Sequence, residues 1–162
     1  MEGPDAVQLE NTVTLGCFEI GGRTCALDVS QIREVVRWSP VTPLPDAPPL
    51  IDGVLDLRGA IVPVVDLGRA LGLDPVRPGL AARIAVVEVE GMVMGLAVQA
   101  ALEVVPVDVA YLEDPPALAT QAGYDLVRAV VRRTESEPMV VLSLEHVLER
   151  VYRSALTAAE GA

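Results

Sequence analysis

The sequence predicts an all-β fold with short helices: two small barrels and a closing helix. Three observations carry that prediction. Hydrophobic residues make up 51% of the 162 residues and aromatics only 3%, so the core is built from Val, Leu, Ile and Ala. Apolar runs of strand length are punctuated by Gly21-Gly22, Arg58-Gly59 and Glu90-Gly91, and such runs between Gly turns read as strands. The same order of elements then recurs in both halves of the chain. Many short strands with Gly and Pro turns point to barrels. The length suits one domain or two small intertwined subdomains, and the apolar content excludes disorder for most of the chain.

Residues 1–11 carry Gly3 and Pro4 among acidic and polar residues and read as a mobile tail. TVTLGCFEI (12–20) and RTCALDV (23–29) flank Gly21-Gly22 and form a hairpin. A two-residue turn sets Ile20 opposite Arg23, Phe18 opposite Cys25 and Cys17 opposite Ala26. Strand side chains alternate, so Cys17 and Cys25 then lie on opposite faces and form neither a disulfide nor a metal pair. A longer turn would change that parity. Ser30–Val36 reads as one helical turn or a bend before another strand, ended by Trp38-Ser39-Pro40. Five prolines between Pro40 and Pro49 make a rigid, mostly extended connector. Its PxxP spacings would also suit an aromatic-lined groove.

Val54–Leu57, Arg58-Gly59 and Ile61–Asp66 read as strand, turn and strand. A short helix over Leu67–Leu71 follows, closed by Gly72. A loop over 74–79 leads to strands Arg83–Val89 and Met92–Val98 around Glu90-Gly91. Residues 106–122 read as loop-rich, with Pro115-Pro116 in the middle. Strands Arg128–Arg132 and Met139–Leu144 flank the polar stretch 134–138. Within Glu145–Glu160, the residues Val147, Leu148, Val151, Tyr152, Ala155 and Leu156 form an apolar stripe at helical spacing.

The repeat can be written out. IGGRTCALDVSQIREVV (20–36) aligns without a gap on VEGMVMGLAVQAALEVV (89–105), so Gly22 meets Gly91 and Glu34 meets Glu103. Further on, VPVVDLGRAL (62–71) resembles MVVLSLEHVL (139–148). Each half reads hairpin, bend, loop, strand, strand, helix. A duplicated fold offers two similar but unequal surfaces, which can pair head-to-tail with related domains.

Composition also limits function. Twelve basic residues stand against 23 acidic ones, a net charge of −11. Nucleic acid and anionic membrane surfaces are poor partners for that balance. The first residues show no signal-peptide pattern, and the uncharged stretch 91–102 is too short to span a bilayer. The expectation is a soluble, cytoplasmic protein with reduced thiols. One His, and no CxxC, HExxH, GxGxxG or Walker loop, leave no catalytic, metal or cofactor motif. His146 reads as a surface or cap-region residue. Trp38 reads as an exposed anchor or a lid over a small core. Arg128, Arg132 and Arg133 read as a solvated strand edge, and Glu145, Glu149 and Glu160 as the wet side of the closing helix. Met92 and Met94 share one face and read as core filling.

Several segments resemble the CheW family: Ile51-Asp52-Gly53-Val54, Leu57-Arg58-Gly59, IVPVVDL (61–67) and Leu71-Gly72. FEIGGRTCALDVSQIREVVRWSPVTPLP (18–45) is similar to that family's opening. The resemblance covers about residues 13–150. It implies two intertwined SH3-like five-stranded β-barrel subdomains in one CheW-like domain over 12–152, with a tail before it and a helix end over 153–162. It implies a non-catalytic adaptor, without cofactor, between methyl-accepting receptor tips and a CheA-type histidine kinase. Other CheW-like proteins stay open as further partners. It assigns receptor contact to Arg58, to its partner Glu34, to the apolar groove residues Ile32 and Val36, and to Leu57 and Gly59. Kinase contact falls on Val41, Leu44, Gly68 and Gln99. An Arg beside apolar groove walls can pack and pair at once.

The chain departs from the family at Asp56, where Asn is common, and at Gly68, where a basic residue is usual. Gln99 and Ser143 each replace a frequent Asp. These departures favour a divergent adaptor that binds receptors without productive kinase coupling as one alternative. A structural scaffold recruiting another partner through residues 1–11 and 155–162 is the second.

Overall fold

A computed structural model describes residues 11–116 and 126–161, the side chains beyond Leu156 excepted. The expected tail therefore lies outside the described residues except for Asn11, as do residues 117–122 of the expected loop and the side chain of Glu160. Eleven strands and two α-helices are described. Their order is β1 (Thr12–Ile20), β2 (Arg23–Asp28), β3 (Ile32–Arg37), β4 (Ile51–Leu57), β5 (Ala60–Asp66), α1 (Leu67–Ala70), β6 (Arg83–Val89), β7 (Met92–Val98), β8 (Ala100–Asp108), β9 (Leu112–Glu113), β10 (Val127–Val131), β11 (Met139–Leu142) and α2 (Leu144–Gly161).

The first hairpin has the expected register, with Ile20 opposite Arg23, Phe18 opposite Cys25 and Cys17 opposite Ala26. Gly21 and Gly22 both take positive φ, which glycine adopts without a Cβ penalty. The two cysteines accordingly point to different cores and are free thiols. Burial raises both thiols in pKa, Cys25 to about 11. The β6–β7 hairpin likewise pairs Val89 with Met92.

The strands form two sheets, ordered β8-β1-β2-β11-β10-β9 and β3-β6-β7-β5-β4. Under the repeat, β1, β2, β3, β4 and β5 correspond to β6, β7, β8, β10 and β11. Each sheet is then one copy's hairpin, flanked by the other copy's third strand on one side and its last two strands on the other. The halves are exchanged rather than set side by side, so neither barrel is one half of the chain. Both sheets must curl. In the first, edge strands β8 and β9 are joined by only the short turn Val109–Tyr111. In the second, the proline connector leaves edge strand β3 and pairs Thr42 with Val54 of edge strand β4.

Three apolar clusters follow from strand alternation. Leu15, Cys17 and Ala26 fill one barrel with Ala129, Val131, Met139 and Val141. Val64, Ile84, Val86 and Ala97 fill the other, with Val36, Trp38 and Val41 packed on them. The largest cluster lies between the barrels. It takes the opposite faces of the same strands, including Phe18, Leu27, Val65, Val87 and Leu96, together with Leu144, Val147, Leu148 and Val151 of α2.

Several expectations need correction. The bend is a 3-10 turn at Val29–Gln31, and β3 begins at Ile32. Part of the stretch expected as loop is strand, because β8 runs to Asp108 with Pro106 opposite Thr14. Proline is tolerated there because β8 is a sheet edge and its missing N–H costs no ladder bond. The apolar stripe of α2 is buried only as far as Val151, while Tyr152 and Leu156 are exposed. The core ends where the helix outruns the sheets. Met94 is core, but Met92 at the hairpin end is 45% exposed and its Sδ accepts the Tyr152 hydroxyl at 3.0 Å.

The two copies retain the same helix start. Asp66 accepts the Arg69 amide at 3.1 Å, and Ser143 accepts the His146 amide at 3.3 Å, both N-caps. Gly68 is buried in α1, and a Cβ there would stand 2.1 Å from the Asp74 carbonyl oxygen. The obstacle is backbone and cannot rotate away. Gly68→Ala should lower unfolding free energy by roughly 1–3 kcal/mol in a urea titration. An unchanged midpoint would mean that the loop after α1 shifts freely.

Candidate functional site

The β4–β5 turn places the arginine singled out by sequence. Leu57 pairs with Ala60, leaving Arg58 and Gly59 as a two-residue turn, with φ of 51° and 91°. This twist suits a hairpin, but positive φ at a non-glycine residue costs on the order of 1 kcal/mol. Asp56 secures the turn, since its Oδ1 accepts the Gly59 amide at 2.8 Å. An Asn oxygen at this position would accept the same bond.

Arg58 Nη2 donates to Glu34 Oε2. The two residues are far apart in the chain and come from β3 and the β4–β5 turn, the two edges of one sheet. Curling of that sheet is what brings them together. The Arg58 side chain is 72% exposed, so the pair contributes at most about 1 kcal/mol to stability. Its consequence is positional, because it holds a guanidinium and a carboxylate beside the wall formed by β3.

The strand that carries Glu34 also forms one wall of an apolar groove of about 280 Å³, whose lining includes neither Glu34 nor Arg58. Ile32 and Val35 of β3 form one wall, Ala101, Leu102 and Val104 of β8 the other, and the Gly16–Phe18 stretch of β1 the floor. Gly16 makes room for Ile32, whose Cδ1 lies 3.2 Å from where a Cβ would sit. Under the repeat, Ile32 corresponds to Ala101 and Val35 to Val104, so the groove lies where the two copies meet. Val35 is 41% exposed, Leu102 50% and Val104 66%. These are large apolar side chains that the barrels themselves leave uncovered.

Of the residues expected at a receptor contact, Arg58 and Glu34 are paired, Ile32 lines the groove and Gly59 completes the turn. Val36 and Leu57 instead pack against the inner cluster of their barrel. Val35, Leu102 and Val104 were missed. Strand alternation over Glu34–Val36, rather than a bend, would have turned Val35 outward, and a β-bulge between Ile32 and Glu34 sets it on the same wall as Ile32. Of the residues expected at a kinase contact, Leu44 is 47% exposed and Val41 packs on the barrel core. Gln99 spends its amide on the loop before β6. Its Oε1 accepts the Arg77 amide at 2.9 Å and its Nε2 donates to the Arg77 carbonyl at 3.0 Å. Trp38 is the lid and not the exposed anchor. The basic cluster is dispersed: Arg128 pairs with Asp28, Arg132 with Glu113, and Arg133 donates to the Glu137 carbonyl.

β3 owes its position to the turn before it. Asp28 Oδ1 accepts the Ser30 amide and hydroxyl at 2.9 and 2.8 Å, and Arg128 stands 3.5 Å from its other oxygen. Burial pushes the Asp28 carboxyl up, but the Ser30 and Arg128 interactions outweigh it and hold it below the usual range. A depressed folded-state pKa gives stability that is present above the unfolded value near 3.8. That stability is lost as pH falls through the folded value. Asp28→Asn should therefore cost on the order of 1 kcal/mol at neutral pH, and the deficit should shrink below about pH 4. Unfolding free energies of both proteins across that range check it; a pH-independent difference would refute the electrostatic part.

Residues 14–151 match a family model described as a CheW-like domain. Chemotaxis protein CheW of Rhizobium meliloti (strain 1021) is 30% identical over 138 residues, which cover 85% of this chain and 88% of that protein. Protein FrzA of Myxococcus xanthus is 29% identical over 140 residues, 86% of this chain and 88% of that one. Among solved structures, the scaffolding protein TtCheW from Thermoanaerobacter tengcongensis matches with a TM-score of 0.75 at 30% identity, over 83% of this chain and 86% of that one.

Proposed function

The chain belongs to the CheW-like domain family, and we propose that it is a non-catalytic adaptor coupling methyl-accepting chemoreceptors to a CheA-type histidine kinase. Its relatives named for chemotaxis and scaffolding support that reading. The observation that carries it is that one strand, β3, contributes both Glu34 of the exposed Arg58–Glu34 pair and a wall of the uncovered apolar groove. A receptor helix lays an apolar stripe between Val35 and Val104 and meets the guanidinium at the groove's edge, the helix-in-groove mode of recognition. Ile32 and Gly59 contribute directly, while Val36 and Leu57 hold the wall from behind.

The working unit is one domain over residues 12–152, with two barrel subdomains. On this reading it acts in the cytoplasm, held at receptor arrays by the receptor contact. Among the described residues no helix is long and apolar enough to cross a membrane. The kinase docks elsewhere, over the connector at Val41 and Leu44 and over the region shaped by Gly68 and Gln99. Other CheW-like proteins are partners of the same kind. Signalling is then a bias in the kinase's conformational equilibrium, transmitted through these contacts.

Calorimetric titration with a receptor-tip fragment and, separately, with the kinase regulatory domain tests the proposal. Both should bind. Arg58→Ala should weaken the receptor arm roughly 30-fold, about 2 kcal/mol, and leave the kinase arm within about twofold. Receptor binding without kinase binding would favour the divergent adaptor. Binding to neither would overturn the assignment.

A further inference from the structure

A second cavity, which shares no lining residue with the groove, has features the adaptor role does not use. It measures about 510 Å³, within the roughly 300–1,000 Å³ of small-molecule sites. Its floor is apolar. Cys25 and Leu142 come from the six-stranded sheet, while Leu71 and Leu73 follow α1 of the other barrel. The Cys25 thiol stays neutral, burial having pushed it up to about 11, so it acts as a small apolar group.

The polar lining is selective. The chain has 12 basic residues, all arginines, against 23 acids. Most arginine side chains have a carboxylate or carbonyl partner. Only Arg23, Arg37, Arg77 and Arg150 make no side-chain hydrogen bond or ion pair among the described residues, and two of these four, Arg23 and Arg150, line this one cavity. A chain so rich in carboxylates has left two guanidiniums without an ion-pair partner over an apolar floor. Glu137 also lines the cavity, leaving one net positive charge.

We propose that this cavity binds a small organic anion with an apolar body, an alkyl carboxylate being the simplest member of the class. The carboxylate sits between Arg23 and Arg150, whose planar forks suit it. The alkyl chain lies on Leu71, Leu73 and Leu142. Because the two leucines after α1 belong to one barrel and the rest of the floor to the other, the bound anion bridges the barrels.

The test is titration of the full-length protein with octanoate, with octanamide as the neutral isostere, and with inorganic phosphate, followed by amide chemical shifts. Octanoate should bind at least about tenfold more tightly than either control, with shifts centred on Arg23, Leu73 and Leu142. Arg23→Gln combined with Arg150→Gln, both without structural partners, should remove that preference without lowering the melting temperature. Equal binding of octanamide would overturn the role of the arginines. Equal binding of phosphate would overturn the apolar body. Absence of octanoate binding, or shifts centred on the Val35–Val104 groove, would overturn the site.

Discussion

The fold depends on one packing arrangement: the two central hairpins are buried on both faces. In β1, Leu15 and Cys17 point into one barrel while Phe18 and Ile20 point into the core between barrels. In β6, Ile84 and Val86 face inward while Ala85, Val87 and Val89 face the same shared core. A strand with two dry faces reads as a nearly continuous apolar run, which is why 51% of the residues are hydrophobic in a chain of modest length. Each fully buried Leu or Val contributes roughly 1.5–3 kcal/mol. Much of that burial lies in the shared layer, so neither barrel is self-sufficient.

Exchange of strands between the copies follows from the same constraint. After its hairpin, each copy sends its third strand across the shared core to the edge of the other sheet, β3 beside β6 and β8 beside β1. The two crossings pass near each other over β1 and leave apolar side chains that no third element covers among the described residues. The groove is therefore a by-product of the topology. The Arg58–Glu34 pair is of the same origin, since it spans the two edges that closure of one barrel brings together. Its members add little to stability, and Arg58 even occupies a costly backbone region.

Much of this was legible in sequence because the relevant signals are local. Glycine turns fixed both hairpin registers, and the ungapped repeat predicted which strands correspond. The pairing of Arg58 with Glu34 was legible only through family resemblance, because residues 24 apart on opposite sheet edges share no local pattern. β8 was misread because Pro106 breaks a strand pattern, and only the sheet order shows that Pro106 lies on an edge. Val35 was missed because a helical turn or bend over Ser30–Val36 carries no strand alternation, and because a β-bulge between Ile32 and Glu34, which no local pattern announces, brings Ile32 and Val35 to one wall. The end of the helix stripe at Val151 depends on how far the sheets extend, which the periodicity of a helix does not encode.

Four polar or small residues singled out in the sequence, Asp56, Gly68, Gln99 and Ser143, divide by the same physical logic. Asp56 and Ser143 each accept a backbone amide three residues on, so they fix local geometry. Gly68 and Gln99 act together on another feature, the chain between α1 and β6. Gly68 lets that chain pass against the helix, with the Leu73 amide bonded to its carbonyl at 2.8 Å, while Gln99 clamps the chain at Arg77. A side chain at position 68 would collide with the Asp74 carbonyl and lift the segment away. The segment held down in this way also presses Leu73 against the Gly21 turn, where a Cβ would come within 2.6 Å, and carries Leu71 and Leu73 into the cavity beneath Arg23 and Arg150. Gly68, Gln99 and the cavity between the barrels are thus parts of one local structure, and altering either residue alters the cavity.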